Sequence, residues 1–184
     1  MNVTVIGGGA AGLMAAISAA EFGAKVTLIE RGGADNLGHK VRLTGKGRCN
    51  ITNNCDAETV LKNVLTNPKF LNSAVRKFPP SAVMEFFDSI GLKTERGNRV
   101  FPISDKAGDV VGFLKRRIDE LGVNVVKRRA DAAYVHELLK SGKVILCTGG
   151  LSYPKTGSDG NGYKIAESLG HTVTPLSPSL IPLT

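Results

Sequence analysis

The stretch that decides the fold is Val3-Thr4-Val5-Ile6-Gly7-Gly8-Gly9-Ala10-Ala11-Gly12, near the beginning of the sequence. The four residues before Gly7 are all β-branched, which predicts a short strand buried in a parallel sheet. Residues 10–22 are rich in alanine and apolar on every side, which predicts a helix packed tightly on that sheet. Gly23 follows at the position where helices commonly end. The glycines between the strand and the helix have the form G-x-G-x-x-G, the fingerprint of a dinucleotide-binding unit.

Each glycine of this fingerprint has a physical role. Gly7 permits the tight turn, Gly9 lets the backbone approach a pyrophosphate, and Gly12 allows the helix to pack closely on the strand. Free N–H groups at Ala10 and Ala11, in the first turn of the helix, would attract the phosphates. The motif therefore predicts a Rossmann-type nucleotide site at the first turn of the fold.

An acid at the end of the next predicted strand completes the fingerprint. Residues 25–30 predict this strand, and Glu30 lies 18 residues after Gly12. At this position a carboxylate accepts hydrogen bonds from the adenosine ribose, and it disfavours the 2′-phosphate of NADP. The fingerprint alone does not distinguish NAD from FAD.

The remaining pattern alternates helices with strands, which predicts an α/β fold with a parallel sheet. Helices are predicted at residues 81–90, after another helix that ends before Phe78-Pro79-Pro80, and at 105–121 and 163–169. Strands are predicted at 99–101, 123–126 and 144–146. Residues 132–139 fit either a helix or a distorted pair of strands. We expect residues 1–175 to form the Rossmann-type domain, and the proline-rich residues 176–184 to form a boundary.

Composition and charge limit the classes of function that the chain can have. The sequence has 184 residues, 42% of them hydrophobic, and a formal net charge of +8, which would attract polyanions. The basic residues occur in short groups without interleaved aromatic residues, so a solvated basic face is favoured over nucleic-acid binding.

Residues 3–20 carry no charge, but the glycines in their middle argue against a membrane span. The three cysteines form no Cys-x-x-Cys pair, so we expect no structural zinc and a reducing, cytoplasmic location.

Residues 31–54 predict a loop that is long for a compact domain, and long loops are usually functional or disordered. It contains Thr44-Gly45-Lys46-Gly47-Arg48-Cys49-Asn50-Ile51-Thr52-Asn53. With this block the chain resembles the BaiN-like flavoproteins, also known as aminoacetone-oxidase-like FAD-binding proteins. The resemblance extends to Arg99-Val100-Phe101-Pro102, to Thr148-Gly149-Gly150 with the glycine-rich residues that follow, and to Pro178-Ser179-Leu180-Ile181-Pro182-Leu183.

The resemblance implies that the dinucleotide is FAD, on a domain of the two-dinucleotide-binding-fold type. It also implies that the Arg48-Cys49-Asn50 loop lies along the flavin and that Thr148-Gly149-Gly150 passes close to the cofactor. The expected cofactor-binding residues are Gly7, Gly9, Ala10, Ala11, Gly12, Glu30, Arg31, Lys40, Thr44, Gly45, Gly47, Arg48, Cys49, Asn50, Thr148, Gly149 and Gly150. Family members are longer and carry an inserted domain and a returning C-terminal segment, so the chain is expected to be the N-terminal portion. They also carry a three-stranded meander for which residues 123–144 are short.

The function implied is that of a FAD-dependent oxidoreductase, reduced by NAD(P)H and acting on a small organic molecule. The resemblance admits both reduction of unsaturated rings and oxidation of amines. Two alternatives stay open, a flavin-dependent nucleic-acid modifying protein and a non-catalytic nucleotide-binding fragment. The sequence assigns no catalytic acid or base. A redox disulfide between Cys49 and Cys55 is disfavoured, since their Cys-x5-Cys spacing is one residue longer than that of flavin disulfide reductases.

Overall fold

The computed structural model describes residues 1–177, apart from the side chains at positions 95 and 96. Within these residues the strands are β1 (Asn2–Ile6), β2 (Lys25–Glu30), β3 (Thr52–Asn53), β4 (Thr94–Arg96), β5 (Arg99–Pro102), β6 (Asn124–Lys127) and β7 (Lys143–Leu146). The helices are α1 (Ala10–Glu21), α2 (His39–Leu43), α3 (Ala57–Lys62), α4 (Pro68–Lys77), α5 (Pro80–Ser89), α6 (Ala107–Glu120), α7 (Ala132–Ser141) and α8 (Asn161–Ser168).

Four parallel strands form the central sheet in the order β6-β2-β1-β7. Val5 of β1 lies opposite Leu28 of β2 on one side and Ile145 of β7 on the other. The chain builds outward from β1 through β2 to β6, then returns through α7 to place β7 on the far side of β1. The strand order therefore reverses between β1 and β7, and ligands of open α/β sheets bind at the carboxyl ends of the strands beside such a reversal.

Helices cover both faces of the sheet. On one face, Leu13 and Ile17 of α1 and Ile118 of α6 are fully buried in the larger core cluster, together with Val5 and Leu28 of the strands. On the other face, a smaller cluster joins Ile6, Ala130, Val135 of α7 and Ile165 of α8. The central strands β1 and β2 are buried on both faces, which explains why they are largely apolar. The Rossmann-type α/β fold predicted from the sequence is confirmed.

A smaller antiparallel sheet, in the order β3-β5-β4, lies outside the parallel one. Thr52 of β3 pairs with Val100 of β5, and the Ile51 N–H donates to the Val100 carbonyl at 2.8 Å. This sheet anchors the end of the loop that begins after β2. The loop contains regular structure along much of its length, namely the short 3-10 helix Ala34–Asn36, α2 and β3. Between α2 and β3, Thr44–Gly47 form a tight turn in which Gly45 and Lys46 are left-handed.

The sequence of residues 132–139 fitted either a helix or a pair of strands, and in the structure this segment is helical. Residues 132–141 form the helix α7, whose first turn is capped by the Asp131 carboxylate, which accepts a hydrogen bond from the Tyr134 N–H at 2.8 Å. Strand β4 was not predicted, since residues 94–96 show no apolar alternation. After α8, residues 171–177 have no regular secondary structure. Most of the predicted boundary at 176–184, including Pro178 and Pro182, lies outside the described residues.

Candidate dinucleotide site

A cavity of about 670 Å³ opens at the carboxyl ends of β1, β2 and β7, beside the reversal in strand order. Its walls come from three parts of the chain, namely the glycine turn after β1, the loop after β2, and the segment from β7 into α8. The predicted site residues that line it are Gly7, Gly9, Ala10, Ala11, Glu30, Arg31, Lys40, Thr44, Thr148 and Gly149. This volume lies within the range typical of small-molecule sites.

The glycine turn combines two crowded positions with one open position. Gly7 has φ 103°, and a Cβ there would overlap the Cys147 carbonyl of β7's end. A Cβ on Gly12 would overlap the Gly7 carbonyl oxygen, which shows how closely α1 packs on the turn. At Gly9 an added Cβ would meet no heavy atom within 4 Å. The backbone is thus exposed to the cavity where a pyrophosphate would have to approach it.

The first turn of α1 faces the same cavity. Gly9 is its N-cap, and no side chain among residues 1–177 supplies a capping hydrogen bond to it. Ala10 and Ala11 line the cavity. The N–H groups of a first helical turn have no partner within the helix and carry a partial positive charge, so this turn can bind an anion.

Glu30 is 9% exposed and its carboxylate accepts three hydrogen bonds. One oxygen, Oε2, accepts from the Gly8 N–H at 2.7 Å. The other, Oε1, accepts from the Gly32 N–H at 3.1 Å and from the Asn36 side-chain amide at 2.9 Å. The carboxylate thus ties the glycine turn to the loop after β2 while lining the cavity. Its predicted contact with a ribose stays a prediction.

Cationic side chains bridge the cavity from the β2 side to the segment after β7. Lys40 donates to the Ser158 hydroxyl at 2.6 Å and to the Ser152 carbonyl at 2.8 Å. Arg31 and Arg129 both pair with Asp159, at 3.1 Å and 3.0 Å. The pKa of Asp159 lies below its usual value, chiefly because its carboxylate accepts a hydrogen bond from the Asn161 N–H. Burial opposes this decrease, and the two guanidinium charges add smaller decreases. This end of the cavity is suited to a negatively charged ligand.

The end of β7 forms the opposite wall. Gly149 adopts φ 75°, and a Cβ there would press on the Ser158 hydroxyl at 2.6 Å. Thr148 packs directly on Gly162 of α8, where an added Cβ would overlap its hydroxyl. Thr148 and Gly149 line the cavity. Gly150 is not part of its lining, and a Cβ added to Gly150 would lie 3.0 Å from the Tyr163 hydroxyl.

The predicted residues at positions 45–50 lie outside this cavity, against the smaller sheet. Gly45, Gly47 and Cys49 all have positive φ, so this segment is tightly wound. Arg48 pairs with Asp105 at 2.7 Å and stacks over Phe101, 4.3 Å from its ring centroid. With its amide turned so that the nitrogen faces acceptors, the Asn50 side chain donates to the Thr52 carbonyl at 2.9 Å. The structure thus brings Thr44, but not these residues, to the site, and their contact with a flavin stays a prediction.

All three cysteines are free thiols. Burial raises the pKa of Cys49, and a hydrogen bond with Thr44 opposes that rise less strongly. Burial also raises the pKa of Cys147, beside the glycine turn. Protonated thiols are poor nucleophiles. Neither buried cysteine therefore has the low pKa of a redox-active or nucleophilic group.

Several cavity residues were not assigned to the site from the sequence. They are Asn36, His39, Arg128, Arg129, Ser158, Asp159, Asn161 and Tyr163. One usable signal was present, because 128–129 directly follow β6 and the carboxyl ends of parallel strands meet at one edge of the sheet. Asn36 and Asp159 carried no signal of this kind.

The fold and the cavity define a Rossmann-type α/β domain with its site at the switch point of the sheet. The chain belongs to the family described as the HI0933-like protein Rossmann domain, whose model matches residues 1–178. This match confirms the family recognised from the glycine-rich blocks.

Three curated relatives match nearly the whole chain. Over 196 residues it is 34% identical to the 3-dehydro-bile acid delta(4,6)-reductase of Clostridium scindens, covering 99% of this chain and 47% of the relative. It is 31% identical over 205 residues to the ribosomal RNA dihydrouridine synthase of Haemophilus influenzae (98% and 48%), and 30% identical over 196 residues to that of Escherichia coli (100% and 48%). The chain therefore spans about half the length of the curated relatives it matches.

Two further observations bear on the class of protein. None of the helices within residues 1–177 is long and apolar enough to cross a membrane. In the same part of the chain, no group of three or more His, Cys, Asp or Glu side chains is arranged to hold a metal ion.

Proposed function

We propose that this chain binds FAD at the switch-point cavity and forms the cofactor-binding part of an NAD(P)H-reduced oxidoreductase. The observation that carries the proposal is the open backbone at Gly9, at the uncapped start of α1, with the Glu30 carboxylate on the adjacent strand. A nucleotide needs these three features together: room for a diphosphate, donors for its oxygens, and an acceptor for its sugar hydroxyls.

The residues present fit such a ligand. The N–H groups of Ala10 and Ala11 would hold the pyrophosphate, and Lys40, Arg31 and Arg129 would offset its charge. Glu30 would accept from the ribose. When bound, the flavin supplies two-electron transfer, while the protein supplies binding, orientation and exclusion of water.

Of the two reactions that the family resemblance admits, we favour reduction of a carbon–carbon double bond. The names of the matched relatives support it, because one is a delta(4,6)-reductase and the others form dihydrouridine, the reduced form of uridine. Such a step adds a hydride to one carbon and a proton to the other, and NAD(P)H provides the electron pair. The substrate class of this chain is proposed to be an unsaturated ring.

A titration of the purified chain with FAD tests the cofactor. We expect bound FAD to be visible in the absorption spectrum and to be bleached by dithionite or by one of NADH and NADPH. A protein that does not bind added FAD would overturn the proposal. A protein that binds FAD but leaves it oxidised with every reductant would instead favour a non-catalytic nucleotide-binding fragment.

A second candidate is a flavin-dependent enzyme that modifies RNA. Its specific support is the net charge of +8, the arginines at positions 128–129 beside the cavity, and the two relatives named as ribosomal RNA dihydrouridine synthases. Binding of a ribosomal RNA fragment measured at several salt concentrations distinguishes the two substrate classes. An affinity that falls steeply with salt indicates contacts to several phosphates, whereas negligible binding at low salt leaves the small-molecule proposal.

A further inference from the structure

Asn36 is a cavity residue that no motif of the sequence singles out. It ends the 3-10 turn Ala34–Asn36, and its side-chain amide donates to Glu30 Oε1 at 2.9 Å. Its side chain packs so closely on Gly32 that a Cβ at Gly32 would overlap it. The amide is therefore held in place by packing as well as by its hydrogen bond.

Three donors from different parts of the chain fix the Glu30 carboxylate. Two are backbone N–H groups, those of Gly8 and Gly32, and the third is the Asn36 side chain. A carboxylate offers about four acceptor positions on its two oxygens. Three protein donors therefore orient the group and still leave it able to accept a hydrogen bond from a ligand in the cavity.

We propose that Asn36 is a positioning residue of the dinucleotide site, which acts by fixing the plane of the Glu30 carboxylate. The last torsion of a glutamate side chain is broad, so the carboxylate would otherwise have more orientations available. Asn36 is also a neutral donor, so it orients the carboxylate without neutralising it. This inference rests on the proposed function, because the orientation of Glu30 matters for binding only if its carboxylate accepts a hydrogen bond from a ribose.

A double-mutant cycle on the full chain separates positioning from a general structural effect. Asn36→Ala is expected to weaken FAD binding about tenfold in the native background, because the Glu30 carboxylate loses a donor that orients it for the ribose. In the Glu30→Gln background the same change is expected to alter FAD affinity less than about twofold, because its effect passes through Glu30. Asn63→Ala is the matched control, since its amide donates to the Thr59 carbonyl on the surface of α3 and should leave FAD affinity unchanged.

A pH profile gives a second readout that a structural role would not move. Asn36→Asp places a second carboxylate within hydrogen-bonding distance of the first, and two such groups ionise together only at a cost. We expect its FAD affinity to be at least about tenfold below that of the native protein at neutral pH, and to recover toward it as one proton is taken up in acid. The double variant Glu30→Gln/Asn36→Asp should lack this recovery. The other ionisable groups at the cavity are common to all these variants, namely Arg31, His39, Lys40, Arg128, Arg129, Cys147, Asp159 and Tyr163.

The outcomes distinguish this inference from the proposed function. If the native chain binds FAD but Asn36→Ala weakens binding equally in both Glu30 backgrounds, Asn36 is not a positioning residue and the cofactor proposal stands. If the native chain does not bind FAD, both the proposed function and the role of Asn36 toward the cofactor are overturned. Urea unfolding of the same four proteins without FAD then reports only whether Asn36 and Glu30 are coupled in the fold.

Discussion

Gly9 and Gly12 lie in the same turn, yet their surroundings are opposite. Gly9 has φ −77° and open space around it, whereas α1 cannot keep its place on the turn if Gly12 carries a Cβ. Gly9 is therefore free to contact a ligand, and Gly12 is constrained by packing alone. A substitution at Gly9 should therefore affect ligand binding, and a substitution at Gly12 should affect the stability of the fold.

Gly9→Ala is expected to weaken FAD binding by at least about tenfold, while the free energy of unfolding falls by less than about 1 kcal/mol, the usual difference between N-cap residues. Gly12→Ala is expected to lower the free energy of unfolding by about 1–3 kcal/mol through overpacking. Urea unfolding and FAD titration measure both effects.

Gly112→Ala is the control for this pair, because an added Cβ in the interior of α6 meets nothing within 4 Å. It should raise the free energy of unfolding by about 0.5–1 kcal/mol and leave FAD affinity unchanged. Normal FAD binding by Gly9→Ala would contradict the assignment of the pyrophosphate to this turn.

At the scale of elements, Asp159 links the segment after β7 to Arg31 and Arg129. The pKa of Asp159 is lower in the folded protein than in the unfolded chain, so its contribution to stability is present above the unfolded pKa and is lost as the pH falls through the folded one. We expect Asp159→Asn to be less stable than the native protein near neutral pH. The difference should shrink below about pH 4. Urea unfolding from pH 7 to pH 3 measures it, with Asp119→Asn on the exposed surface of α6 as the matched control. A difference for Asp159→Asn that is independent of pH would show that the charge of Asp159, with its hydrogen bond from Asn161 and its two ion pairs, does not stabilise this link.

Helix α7 begins at a side-chain cap, the Asp131 carboxylate. Asp131→Ala removes the acceptor for the Tyr134 N–H and should lower the free energy of unfolding by about 1 kcal/mol. Asp119→Ala, near the end of α6, should change it by less than about 0.5 kcal/mol. Equal effects of the two changes would mean that the Asp131 cap does not stabilise α7.

Most elements of the sheet could be predicted because their signals are local. Strand β1 is a β-branched run that ends at glycine, and the apolar face of α6 repeats with a helical period. Residues 132–141 were ambiguous, since their apolar residues suit a helix or strands and the cap at Asp131 was not recognised. The cavity could be predicted only where a motif marks it. Asn36 and Asp159 are polar loop residues that reach the site because distant segments converge there, and no local pattern encodes that convergence.

At the scale of the whole molecule, we expect a cofactor bound in the cavity to stabilise the folded chain. A ligand that binds only the folded chain stabilises it by about 2.7 kcal/mol at a concentration 100 times its Kd. We expect FAD to raise the free energy of unfolding by this amount at that ratio, as measured by urea unfolding. FMN is the matched control, because it lacks the adenosine and the diphosphate that the glycine turn and Glu30 would hold. Equal stabilisation by FMN at equal concentration would show that contacts to the adenosine and the diphosphate do not supply the binding energy of FAD.

The switch-point cavity also has a consequence for the order of events during synthesis. Its first wall, the glycine turn, precedes β7 in the chain, so it is made before the facing wall at Thr148 and Gly149. Domains made vectorially can fold only when their distant parts are available. A nascent chain that has not yet exposed β7 therefore presents the nucleotide fingerprint with only one wall of the cavity, so we expect cofactor capture to follow the synthesis of β7.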